Sequence, residues 1–172
     1  LLELLGEDGA NYQALELHDR TTDRLSMDNR AAITCMAPEM GAKAALFFPD
    51  AVTRDFLRQR DGRMPAPLAP PAHDASYCRQ LTLVCEELDS LVARPHRPDN
   101  VCPVREVGDI PLDEVYIGSC AGGRLEDFAL AARLLRGPRV APYLKVIAVP
   151  SSVAVEQKAM RHGYLQTLLE AG

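Results

Sequence analysis

The segment from Val115 to Arg161 limits the fold of this chain more than any other. Val115, Tyr116 and Ile117 read as a strand, followed by the turn Gly118-Ser119-Cys120-Ala121-Gly122-Gly123. Leu125 to Leu135 then reads as a helix, because Leu125, Phe128, Ala129, Ala132 and Leu135 recur at helical spacing on one face. Gly137-Pro138 stops it. Lys145 to Val149 is the next strand, and Ser151 or Ser152 supplies the cap of a helix from Val153 to Arg161. That order predicts a βαβ unit with parallel strands, hence an α/β fold.

The first half carries weaker signals of the same class. Tyr12, Ala14, Leu15 and Leu17 alternate with polar residues, a short strand over 12–17, and Thr21 or Thr22 can cap the next element. From Asn29 to Ala45 the small apolar residues Ala31, Ala32, Ile33, Met36, Met40 and Ala44 predict one buried helix, with Pro38 in an early turn or at a kink. Leu46, Phe47 and Phe48 predict a buried strand. A helix over 50–60 comes next, capped by Asp50, with Val52, Phe56 and Leu57 inward. Four prolines (Pro65, Pro67, Pro70, Pro71) between Met64 and Ala72 exclude helix and central strand, so a connector and a domain boundary are placed there. Cys78 to Cys85 reads as a strand with its two thiols on opposite faces, as packing residues. Pro95 to Asn100 is irregular, and no internal repeat is found.

Composition removes several classes of function. The 172 residues suit one ordinary domain or two small ones. Lys and Arg number 19 against 24 Asp and Glu, for a net charge of −5, so the basic excess of a nucleic-acid surface is missing. At 47% hydrophobic the chain has too much apolar surface to stay disordered. No run approaches the roughly 18 apolar residues of a membrane helix, and no signal peptide is recognisable. The five cysteines are scattered and odd in number, which predicts free thiols in a reducing, cytoplasmic compartment. None forms a CxxC pair, so a self-contained zinc or cluster site is not expected. The chain starts at Leu1 in an apolar run and ends at Gly172 on another, as expected of a piece of a longer polypeptide.

The chemistry is expected at the turn after the first strand of the βαβ unit. Ligands of open α/β sheets bind outside the carboxyl ends of the strands. A thiol placed there, at a helix N-terminus, is favoured as thiolate, able to act as nucleophile or metal ligand. Cys120 holds that place; the competing reading is a small buried hydrophobe. The glycines lack the spacing of a phosphate loop. Arg124 either reaches a substrate carboxylate or makes a surface salt bridge. Glu126 and Asp127 suit the first turn of the helix as caps, as Ser151 or Ser152 does for the next. His18, His73, His96 and His162 are not at ligand spacing.

Four stretches, in register, resemble the aconitase superfamily. Val115 to Asp127 resembles the segment around its first cluster cysteine, usually a strand, Ile-Gly-Ser-Cys-Thr-Asn, a Gly or Ser, Arg, then Glu-Asp opening a helix. Gly9-Ala10-Asn11-Tyr12-Gln13-Ala14-Leu15-Glu16 resembles Gly-Ala-Thr-Tyr-Lys-Ala-Leu-Glu. Thr34 to Ala44 resembles Cys-Asn-Met-Ala-Val-Glu-Met-Gly-Ala-Lys-Ala, and Pro95 to Val101 a linker near the homoaconitase branch. The likeness covers nearly the whole chain and is strongest to the branch of 3-isopropylmalate dehydratase and homoaconitase large subunits.

The resemblance implies three-layer α/β/α domains with parallel-sheet βαβ units. Residues 1–64 would be the C-terminal part of one domain, 65–74 the Pro-rich connector, and 75–172 the N-terminal part of the next, carrying the first cluster cysteine. It implies an iron–sulfur hydro-lyase acting on a hydroxy-di- or tricarboxylic acid, as in leucine biosynthesis, with a small swivel subunit or domain as partner. It implies a [4Fe-4S] cluster held by three cysteines, with one iron open as a Lewis acid. Cys120 would be the first metal ligand, Glu39 the catalytic carboxylate near the open iron and its water, and Arg124 a substrate-binding residue. The other two cysteines form a CxxC downstream of Gly172 in the family. Two departures stand out: Cys35 replaces an Asn that supports the cluster, and Ala121-Gly122 replaces Thr-Asn, so hydrogen bonds that tune a cluster are lost. For Glu39 the bland reading is a salt bridge to Arg30. For the whole chain the opposing reading is a cluster-less aconitase-like module with a structural or interaction role.

Overall fold

The computed structural model describes residues 1–21, 25–62, 72 and 74–172. The chain is mixed α/β and groups into two compact units: residues 1–30 with 37–108, and residues 31–36 with 109–172. Thr22, His73 and the connector read at 65–74, apart from Ala72 and Asp74, lie outside the described residues.

In the first unit, β1 (Ala14–Leu17) and β2 (Ala44–Phe47) pair in parallel, Ala14 opposite Ala44 and Leu17 opposite Phe47. Parallel strands cannot be joined by a hairpin, and the intervening chain includes α2 (Met27–Cys35). The core beside them is made of small residues: Ala10, Ala37, Met40 and Ala42 are buried, with Leu1, Leu2, Leu5 and Leu15 packed against them. Small side chains let backbones meet, so Ala10 N–H donates to the Met40 carbonyl at 2.9 Å and Lys43 N–H to the Gln13 carbonyl at 2.8 Å. The single helix expected over 29–45 is therefore corrected. The chain leaves α2 at Cys35, makes a 3-10 turn over Pro38–Met40, and enters β2. Pro38 sits at the start of that turn, where its missing N–H is not needed.

The cap expected at Asp50 is present: its side chain accepts from Thr53 N–H at the start of α3 (Ala51–Asp61). Asp50 also belongs to an ion network that the sequence does not announce. Arg30 is only 2% exposed. Its Nη1 and Nη2 donate to the two Asp50 oxygens at 2.8 and 2.7 Å, Nη2 also to Asp19 at 2.9 Å, and Nε to the Leu25 carbonyl at 3.1 Å. Phe56, expected inward, is exposed. The strand expected over 78–85 is not formed: among the described residues the segment has no ladder partner, and Cys78 and Cys85 are exposed rather than packed. The pairing lies further on, where β3 (Leu91–Ala93) and β4 (Val101–Pro103) form an antiparallel hairpin around the irregular Pro95–Asn100 stretch.

The second unit follows the sequence pattern closely. β5 (Glu114–Gly118) and β6 (Lys145–Val149) pair in parallel from Glu114–Lys145 to Gly118–Val149. Between them runs α4 (Leu125–Leu135), and after them α5 (Val153–Arg161) and α6 (Tyr164–Ala171). The three helices pack on one another, and Phe128, Ala132, Ala159 and Ala171 on them are buried. Burying a Phe completely stabilises by roughly 1.5–3 kcal/mol, which makes Phe128 the anchor of α4.

Candidate functional site

The carboxyl ends of β5 and β6 are pressed together by two glycines. A Cβ on Gly118 would lie 2.4 Å from the Val149 carbonyl oxygen, and one on Gly123 2.5 Å from the same atom. No side chain fits at either position, so the glycines serve this close approach rather than a phosphate. The turn between them is strained: Ser119 has φ of +81°, a region non-glycine residues avoid. Cys120 comes next, and its side chain is exposed. The buried-hydrophobe reading of Cys120 is thereby corrected: it sits on a bent loop, past a parallel strand, just before α4.

The loop is closed by polar contacts. Asp127 accepts the Arg124 backbone N–H at 2.8 Å, the capping role expected of it, while Glu126 is exposed. Ser151 N–H donates to the Gly123 carbonyl at 2.9 Å, tying the start of the next loop to this one. Ser152, not Ser151, caps α5 by accepting from Val155 N–H. Arg124 reaches back over the turn: its Nη2 lies 3.1 Å from the Cys120 carbonyl and 3.8 Å from Cys35 Sγ. Among the described residues Arg124 makes no salt bridge, and its Nε and the Ser151 Oγ are buried without a partner. The Cys35–Arg124 contact spans 89 positions, and nothing in either local sequence signals it.

Glu39 lies in the first unit, exposed on the 3-10 turn, with no ion pair among the described residues. Glu39 thus lies outside any buried helix of the kind expected over 29–45, and the bland alternative is corrected too, since Arg30 is committed to Asp19 and Asp50. Another polar cluster stands on β1. The Tyr77 hydroxyl donates to Glu16 at 2.8 Å and His18 Nε2 lies 2.5 Å from the same oxygen, which together hold Glu16 below the usual carboxylate value. His18 also stacks on Phe48, and His162 on Tyr164.

As a metal site the donor set is incomplete. A cubane cluster takes three or four thiolates. Among the described residues no group of three His, Cys, Asp or Glu side chains is placed to hold a metal ion. The exposed Cys120 thiol fits one corner of such a group; the residues present do not make up the whole. No helix of the described residues is long and apolar enough to cross a membrane.

Comparison with known proteins finds relatives much longer than this chain. The 3-isopropylmalate dehydratase large subunit 1 of Methanopyrus kandleri is 40% identical over 168 residues, 98% of this chain and 40% of that protein. The large subunit of the same enzyme from Nitratidesulfovibrio vulgaris is 43% identical over 176 residues, covering 100% of this chain and 41% of its own length. That from Saccharolobus solfataricus is 39% identical over 174 residues, 99% of this chain and 41% of its own length. The chain thus spans about 40% of the length of the curated relatives it matches. The model of the aconitase family (aconitate hydratase) matches residues 1–109 and 105–172, end to end, and the chain belongs to that family.

Proposed function

We propose that this chain is the part of an iron–sulfur hydro-lyase that presents one cluster thiolate, in a protein that dehydrates and rehydrates a hydroxy-di- or tricarboxylic acid. The observation that carries the reading is the Cys120 turn: an exposed thiol on strained backbone at the carboxyl end of a parallel strand. The relatives' names, 3-isopropylmalate dehydratase large subunit, support 3-isopropylmalate as the substrate and a small subunit as the partner; leucine biosynthesis in the cytoplasm is the setting proposed with them. When bound, a [4Fe-4S] cluster supplies a Lewis-acidic iron for the substrate hydroxyl.

This chain's own residues have narrower tasks. Cys120 would hold one iron of the group through its thiolate. The Glu39 carboxylate takes or returns a proton at the substrate hydroxyl or water, a task its exposure favours over a structural one. Arg124 meets a substrate carboxylate with a guanidinium N–H. Within the family-length protein, residues 1–64 and 75–172 belong to successive α/β domains. A cluster-less module is the second reading, favoured by the incomplete donor set.

The test is anaerobic reconstitution with iron and sulfide of a family-length protein carrying this chain, together with its small subunit. Visible cluster absorption and turnover of 3-isopropylmalate, citrate or homocitrate are expected. A folded protein that takes up no iron establishes the module reading instead.

A further inference from the structure

We propose that Arg124 and Cys35 act together as positioning residues for the Cys120 turn, a role that rests on reading Cys120 as the thiolate ligand and adds to any contact of Arg124 with substrate. The argument starts from strain. A non-glycine residue at positive φ costs on the order of 1–3 kcal/mol and persists only where its surroundings over-determine it. Ser119 is such a residue, and Cys120 comes directly after it. The β5–β6 register fixes the turn on one side, at Gly118 and Val149. On the other side Cys120 is restrained by the bond from Arg124 Nη2 to its carbonyl.

That nitrogen carries two N–H bonds. One is spent on Cys120, and the second has the Cys35 thiol as acceptor. Cys35 and Arg124 belong to the same compact unit. A guanidinium is planar, so seating Nη2 against two fixed acceptors also fixes the side chain that holds the turn. The unpaired Nε argues the same way. A free arginine would turn outward and give every N–H to water, whereas here Nε is buried with no partner among the described residues. The side chain is held inward by what its far end binds. Sulfur is a weak acceptor, so Cys35 serves as a seat for Arg124 rather than as a strong bond.

The experiment uses the family-length protein in its cluster-free form. Alkylation of Cys120 by iodoacetamide is followed by mass spectrometry, with exposed Cys78 as internal reference. Cys35→Ala removes the seat and keeps the arginine charge. Cys120 alkylation is expected to rise about threefold, the size set by losing one modest hydrogen bond, with Cys78 unchanged. Cys35→Ser, which keeps an acceptor, is expected to restore the slow rate. Arg124→Lys, which cannot bridge two acceptors in one plane, should behave like Cys35→Ala and provides a second variant if that one folds poorly. An unchanged Cys120 rate in Cys35→Ala overturns the proposal, as does an equal rise at Cys78, which marks general loosening. Failure of the wild type to take up iron would remove the hydro-lyase reading while leaving the alkylation comparison to decide the positioning role.

Discussion

Two arginines in this molecule are held inward in opposite ways. Arg30 is saturated: all three of its nitrogens donate, to two carboxylates, the Thr53 hydroxyl and a carbonyl. Arg124 is under-supplied, with one terminal nitrogen shared by a carbonyl and a thiol and Nε left without a partner. A buried charge with every hydrogen bond made is a structural fixture, because removing either partner strands the other. A half-buried cationic side chain whose Nε is out of water with its hydrogen bond unmade is tolerated where geometry matters more than stability. The first unit thus spends its arginine on folding, and the second spends its own on a turn.

The largest test of that contrast is at Cys120. In a family-length protein, Cys120→Ser is expected to abolish cluster absorption and turnover, whereas Cys78→Ser leaves both intact; visible spectra and assays decide, and equal behaviour would erase the distinction between the units. Next comes Arg30→Met, which leaves Asp19 buried beside no cation and should destabilise by about 3–5 kcal/mol. By calorimetry that is a fall in melting temperature of roughly 10 °C for a chain of this size. Glu39→Gln should lower kcat by roughly 10²-fold, the size of an acid–base contribution, with the melting temperature unmoved. A normal kcat with a lowered melting temperature would move Glu39 to the structural side.

Acid separates the arginines by another route. Burial pushes Asp19 up, but hydrogen bonds from Thr21, Leu25 and Arg30 outweigh it and hold the carboxyl down at about 2. Asp50 is held well below the usual range, chiefly by Arg30. Both folded values lie under the unfolded ones, so their stabilisation is complete above about pH 4 and is lost as pH falls through the folded values. Urea midpoints followed by circular dichroism between pH 7 and 2 should drop steeply in the wild type and less in Arg30→Met. The smallest effect belongs to Ser152→Ala, which removes the α5 cap and should cost about 1 kcal/mol in a urea melt.

The second unit is legible in the sequence because each of its signals is local. The α4 face repeats at helical spacing, Gly137-Pro138 marks its end, Ser152 caps α5, and the bounds of β6 and α5 agree with expectation. The first unit is less so. Its Ala-rich stretch suits helix, 3-10 turn and strand alike, and only the backbone pairing of Ala10 with Met40 and Gln13 with Lys43 selects among them. The hairpin of β3 and β4 leaves no mark on the pattern because its strands have three residues each, too few to show alternation. At the site, the thiol, the capping Asp127 and the glycines are readable. The meeting of Arg124 with Cys35 is not, since tertiary contact alone brings it about.

The pairing of Gly118 with Val149 also sets an order of assembly. Residues opposite each other in β5 and β6 are 31 positions apart, whereas the inner pair of the β3–β4 hairpin, Ala93 and Val101, is separated by 8. Closing the longer loop costs about 1 kcal/mol more in chain entropy, so the hairpin can zip first and the crossover closes late. The glycines that bend the thiol-bearing loop touch the Val149 carbonyl, so the loop acquires its shape only once that residue has docked. On a growing chain Cys120 therefore emerges well before its geometry exists, and whatever depends on the bend at Cys120 belongs after crossover closure, not during synthesis of the strand before it.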